Sequence, residues 1–353
     1  MTTTAQPPTQ YSGSAERLLR SRAAQRRRVV FTVAGGLVLL AVLVATSVAI
    51  GSNPLTPAEV WRGLTALDGS RESLIVWELR MPRTALALVV GGALAVAGVL
   101  MQALTRNPLA EPGILGVNAG AAFAVVTSIT LLGLTQVHQQ LWFALLGAAA
   151  AAGFAYTVSL RRTHRSDHAR LVLAGAALSA SLGACTGIIT LFNSKTFSSY
   201  RFWVIGSVAN RGPEVLMPIL PLIAVGLVLA LTLAPSLNAL ALGEEQATAL
   251  GARLGLIRVL AFVAITLLCG AATAAAGPIG FVGLVVPHTL RLLIGADQRT
   301  VLALSVLAGP ALVLLADIVG RVVTRPGELE VGVVTAFIGA PVLLALLLDR
   351  SWR

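Results

Sequence analysis

The feature that most constrains this chain is a succession of uncharged apolar runs. Each is about 20 residues long, the length that crosses a ~30 Å hydrocarbon core as a helix. They lie at about 29–50, 84–105, 114–134, 141–160, 171–192, 215–235, 257–276, 279–294, 301–319 and 331–348. Composition agrees: 56% of residues are hydrophobic and 12% charged, where a soluble domain carries roughly a quarter charged. A soluble enzyme, a disordered chain and a disulfide scaffold are excluded. Cys185 and Cys269 each sit inside an apolar run and read as small buried hydrophobes. The net charge of +11 comes from basic residues between the runs, which is the pattern of membrane topology rather than of nucleic-acid binding.

The expected architecture is all-α and polytopic, with ten transmembrane helices in one domain over 29–349 behind a basic tail at 1–28. The longest connection is about 51–83. Residues 259–290 contain no Asp, Glu, Lys or Arg, too much apolar chain for one crossing. Gly277-Pro278 supplies the break, because proline lacks an N–H and the residue before it avoids the α region. Ten crossings put both termini on one side. With the N-terminus inside, most of the 26 basic residues fall inside, including Arg26, Arg27, Arg28 and Arg258. The bias places both termini in the cytoplasm of a multi-pass cell-membrane protein. Gly116/Gly120 and Gly183/Gly187 are pairs that let helices approach closely.

The missing chemistry narrows the function. A P-loop needs a lysine behind its glycine-rich turn, and the only lysine, Lys195, has no glycines before it. The chain therefore does not hydrolyse ATP. There is no HExxH pair and no GxSxG elbow, and no catalytic, cofactor or metal site is expected. His164 and His168, four residues apart, sit in an arginine-rich loop that reads as solvated. Asp317 is the one carboxylate within an apolar run, and its i, i+4 partner Arg321 accounts for it better than a proton site does. The energy for transport must come from elsewhere.

Three segments are too polar for their surroundings: Leu79-Arg-Met-Pro-Arg-Thr84, Arg106-Asn-Pro-Leu-Ala-Glu-Pro-Gly113 and Leu242-Gly-Glu-Glu-Gln-Ala-Thr-Ala-Leu-Gly251. The last is a short helical pattern bounded by glycines, suited to an interfacial helix that a docked motor could push. These segments, together with Asn107-Pro-Leu-Ala-Glu-Pro-Gly-Ile-Leu-Gly116, Gly277-Pro-Ile-Gly-Phe-Val-Gly-Leu-Val-Val-Pro-His288 and Pro326-Gly-Glu-Leu-Glu-Val-Gly-Val-Val-Thr-Ala336, occur in an order that resembles the FecCD-like permeases. Those are the permease subunits of ABC importers for iron–siderophore complexes, haem and vitamin B12. The resemblance covers about residues 55–349 and departs at Glu330, where the family pattern has proline.

The resemblance implies the type II importer fold. Two permease subunits, identical or related, would stand in membrane lipid above two ATP-binding subunits, with a substrate-binding lipoprotein docking outside. It implies docking to acidic residues through Arg80, Arg83 and Arg321, and a cytoplasmic gate at Asn107, Leu109, His168 and Ala169. Coupling helices at about 237–252 would seat in the ATPase through Gly243, Glu244, Glu245, Ala247, Leu250 and Gly251. Ferric siderophore is the expected cargo, with cobalamin or haem as the alternative. A secondary transporter lacks its intramembrane charges here, and an intramembrane enzyme lacks a Ser/His or carboxylate pair at membrane depth.

Overall fold

The computed structural model describes residues 9–66, 68–159 and 167–348, with side chains from residue 25 onward except at 159, 167–169, 346 and 347. The expected inner loop at 161–166, with His164, lies outside the described residues.

The chain enters on α1 (Thr9–Ala49), one continuous helix that carries the polar residues from Thr9 directly into the first apolar run. The connection expected at 51–83 is largely helical. It holds α2 (Pro57–Thr65), opened by a capping box between Thr56 and Glu59, and α3 (Arg71–Leu74). A π-helical stretch, Ile75–Arg80, then runs without interruption into α4 (Met81–Thr105). Pro82 follows directly on this wider turn and, lacking an N–H, makes no bond back into it.

There follow α5 (Val117–Leu132), α6 (Val137–Ser159), α7 (Asp167–Phe192), α8 (Ser194–Val204) and α9 (Pro213–Ala241). The chain closes with α10 (Glu244–Ala249), α11 (Leu254–Ala276), α12 (Val282–Ile294), α13 (Gln298–Val323) and α14 (Val331–Leu348). Among the described residues, ten apolar helices occupy the ten runs. Seven are long enough to cross a membrane, and α5, α12 and α14 are the shorter ones.

Helix α4 is the hub. It packs on α9, α11, α12 and α13, and its stretch from Val90 to Gln102 is entirely buried. Glycine permits this crowding. A Cβ on Gly98 would overlap the Gly283 backbone of α12, one on Gly91 the Gly309 backbone of α13, and one on Gly120 the Gly147 backbone of α6. Lipid gives no hydrophobic drive between helices, so such backbone-to-backbone contacts supply the packing that holds them. Gly183 and Gly187 behave differently. Nothing lies within 4 Å of a Cβ at either, and α7 presents them on an open face together with Leu173, Ile188 and Leu191. Cys269 is buried as expected, whereas Cys185, also on α7, is exposed.

The break at Gly277-Pro278 is present. Gly277 ends α11 at φ +74°, the chain runs extended to Gly280, and Phe281 turns it into α12 at φ +68°. Helix α12 therefore starts inside the bundle rather than at its edge.

Candidate functional site

The polar groups gather at the two ends of the bundle and at one place between them. At the first end, Arg80 from the π-helical stretch, Arg83 from α4 and Arg321 from α13 come together. Their guanidinium groups are not free, however: Arg80 is 4% exposed, Arg83 9% and Arg321 1%. Asp317, fully buried, explains the last two. Arg83 donates to it from Nε (3.0 and 3.2 Å) and Nη2 (2.8 Å), and Arg321 Nη2 pairs with its other oxygen at 2.7 Å.

The remaining donors close the end of α1. Arg321 donates to the carbonyls of Ser47 and Ile50, and Arg80 to those of Val48, Ala49 and Asn53. The final carbonyls of a helix have no partner within it, and here arginines from two other helices supply the donors. Gly51 gives the guanidinium room, since a Cβ there would meet Arg80 Nη2 at 2.8 Å and displace it. Arg83 Nη1 donates to Glu328 at 2.7 Å. Burial would raise the Glu328 carboxyl, but hydrogen bonds from Ser52 and Arg83, with the charges of Arg83 and Arg321, hold it below the usual carboxylate range. These arginines and Glu328 line a cavity of about 200 Å³, with Asn53 and Asn210 on its wall.

At the opposite end α10 stands between Gly243, at φ +123°, and Gly251, at φ +85°. Its faces differ from the expectation. Ala247 is fully buried against its own chain and cannot face a partner, because this six-residue helix lies with that side on the bundle. Leu250 is 69% exposed, beside exposed Leu242 and Leu256. Glu245 is exposed, while Glu244 is held by Arg258 at 2.9 Å with Arg106 at 3.9 Å. Asn107, exposed next to Arg106, accepts the Leu109 N–H at 2.9 Å and so fixes the turn after α4, in which Leu109 is half-buried. His168 and Ala169 belong to the first turn of α7, and their side chains lie outside the described residues.

Between the ends is a contact that the sequence reading missed. The carboxylate of Glu111 accepts the Phe281 N–H at 2.7 Å, which places it at the N-terminus of α12. The chain from 106 to 116 thus re-enters the bundle and meets the broken stretch 277–281. Irregular backbone at membrane depth is tolerated only where it is buried in protein or lines a cavity, and Glu111 provides one of the pairings that this requires. The Phe281 side chain lies directly against Gly339 of α14. Beyond it, α14 and Ile205 border an apolar groove of about 770 Å³ that includes Gly332, Ala336, Phe337 and Pro341. Phe337 is 76% exposed on it. The available sequence signal was Glu111 between prolines in the run Pro108-Leu-Ala-Glu-Pro112, part of a segment too polar for its surroundings.

The FecCD transport family model matches residues 39–349. The chain is 45% identical over 319 residues to the ferric enterobactin transport system permease protein FepD of Escherichia coli, covering 90% of this chain and 95% of that one. It is 40% identical over 298 residues to the vitamin B12 import system permease protein BtuC of Vibrio cholerae, covering 83% and 88%. A solved structure of a metal-chelate type ABC transporter in an inward-facing conformation superposes with TM-score 0.77 at 29% identity, covering 89% of this chain and 97% of that one.

Proposed function

This chain belongs to the FecCD transport family, and from that premise we propose that the cargo it carries inward is a ferric siderophore complex. It is the permease of a metal-chelate type ABC importer, a multi-pass inner-membrane subunit whose ATPase is a separate chain. The observation that carries the siderophore reading is the 45% identity to a ferric enterobactin permease across nearly its whole length. The groove along α14 supports it. Its wall is apolar, so a large rigid complex can pass without a tight polar site to hold it.

The reading assigns the arginine end to the outside and the α10 end to the cytoplasm, in keeping with Arg26–Arg28, Arg106 and Arg258 at the latter. A binding lipoprotein docks over the 200 Å³ cavity, where one of its carboxylates competes with Glu328 for Arg83. Arg80 and Arg321 brace that cavity from within. An ATP-binding subunit seats on α10 through Leu250 and Glu245, with Gly243 and Gly251 setting the helix's tilt. Asn107, Leu109, His168 and Ala169 form the cytoplasmic gate. A second permease, identical or related, covers the open faces of α7 and α14.

The test is uptake in a strain that lacks this permease and is complemented with it. Iron-55 ferric enterobactin, haem and radiolabelled cobalamin are supplied separately. Restored entry of the ferric siderophore alone is the expected result. Restored entry of haem or cobalamin without it would overturn the reading.

A further inference from the structure

Helix α1 leaves a second groove, of about 480 Å³, on the flank it shares with α12 and α13. Its wall is apolar, from Gly35, Gly36 and Leu39 on α1 to Leu290 on α12 and Leu312 on α13. Two hydroxyls reach the wall, and both are engaged by their own helices: Thr32 donates to the Arg28 carbonyl and Thr289 to the Val285 carbonyl. The groove therefore suits a hydrocarbon chain and offers little to a polar ligand. Gly35 and Gly36 mark it as unfilled. Gly91, Gly98 and Gly120 are covered by facing backbone, but nothing lies within 4 Å of a Cβ at these two.

The charge stands at one end only. Residues 28, 32, 35 and 39 follow the helical period and share a face, so Arg28 lies in line with the groove, about 10 Å beyond Gly35 at 1.5 Å per residue. Arg26, Arg27 and Arg28 are all exposed, and the Arg27 guanidinium sits 5.4 Å from the centroid of the Phe31 ring. Exposed Arg299 opens α13 at the same end. The neighbouring acid, Asp297, is occupied by Asn238 at 2.6 Å and by Thr300 at 2.5 Å. An apolar slot that opens onto clustered arginines between transmembrane helices matches an anionic lipid in both parts.

We propose that this groove seats an anionic phospholipid, with an acyl chain along α1 and the headgroup at Arg26, Arg27 and Arg28.

The test is native mass spectrometry of the detergent-purified transporter complex after incubation with equimolar phosphatidylglycerol and phosphatidylcholine. Phosphatidylglycerol should be retained in clear preference. The triple variant Arg26→Gln/Arg27→Gln/Arg28→Gln should reduce that preference by on the order of a hundredfold. Gly36→Leu projects into open space, so the complex should unfold at the wild-type temperature while losing the bound lipid. Equal retention of the two lipids by the wild type would overturn the proposal. So would undiminished phosphatidylglycerol retention by Gly36→Leu with its melting temperature intact.

Discussion

Arg83 and Asp317, 234 residues apart in sequence, meet through the Nε and Nη2 groups of the one and the carboxylate of the other, at 2.8–3.2 Å in a buried site. Arg321 holds the same carboxylate from the other side. Asp317→Ala would leave two guanidiniums facing each other without the anion between them. Removing one partner of a buried pair costs about 3–5 kcal/mol. The variant should reach the membrane in reduced amount and unfold at a lower temperature, measured on the purified protein. Wild-type melting would refute the network.

Glu328 gives this end a pH dependence. Its folded-state carboxyl lies below the usual range, so the stability it contributes is present above the unfolded value of about 4.3 and is lost as pH falls through the lowered one. Melting temperatures recorded from about pH 6 to pH 3 should decline for the wild type and more gently for Glu328→Gln. Parallel curves would show that the ion pair with Arg83 contributes nothing.

The same substitution separates competition from support at the docking cavity. If a carboxylate of the binding protein displaces Glu328, Glu328→Gln should tighten binding-protein capture in nanodiscs. The gain should shrink at high salt, since partly exposed charges are screened. Weaker capture would mean that Glu328 helps to build the surface instead of blocking it.

Ala247 and Leu250, two apolar residues of the α10 segment, should fail in different ways. Leu250→Arg alters an exposed side chain and should leave the permease folded but strip it of co-purified ATPase. Ala247→Arg buries a charge inside the chain itself and should lower the yield and melting temperature of the permease. Loss of ATPase from Ala247→Arg with normal melting would reverse the assignment.

Glu111→Leu leaves the Phe281 N–H without its acceptor, whereas Glu111→Gln keeps a carbonyl oxygen in reach. An unsatisfied buried donor costs about 1–3 kcal/mol. Transport should fall in the leucine variant and be largely restored in the glutamine variant. Equal uptake by both would leave Glu111 without a role in holding α12.

Much of this architecture was legible in the sequence because lipid imposes length: the ten runs fall on ten apolar helices, and the Gly277-Pro278 break is where the residues require it. Asp317 and Arg321 were readable as a pair because they share a helix. Arg83 was not readable as their third member, since only the packing of α4 on α13 brings it there. The side of α10 that carries Ala247 was ambiguous for a similar reason, because a helix of under two turns has no period to show which face is covered. Glu111 stood out as part of an unusually polar segment, but its acceptor role was hidden because Phe281 lies 170 residues away and only the fold brings the two together.

The closure of α1 by arginines also sets an order of assembly. Ser47 is made well before its partner, since its carbonyl receives its donor from Arg321, 274 residues later. At ~5–20 residues per second that interval is roughly tens of seconds. Through that time the end of α1 lacks the donors that Arg321 supplies to the Ser47 and Ile50 carbonyls. A chain cut short before α13 would never complete the joint, so a membrane quality-control system could recognise truncated copies by their first helix.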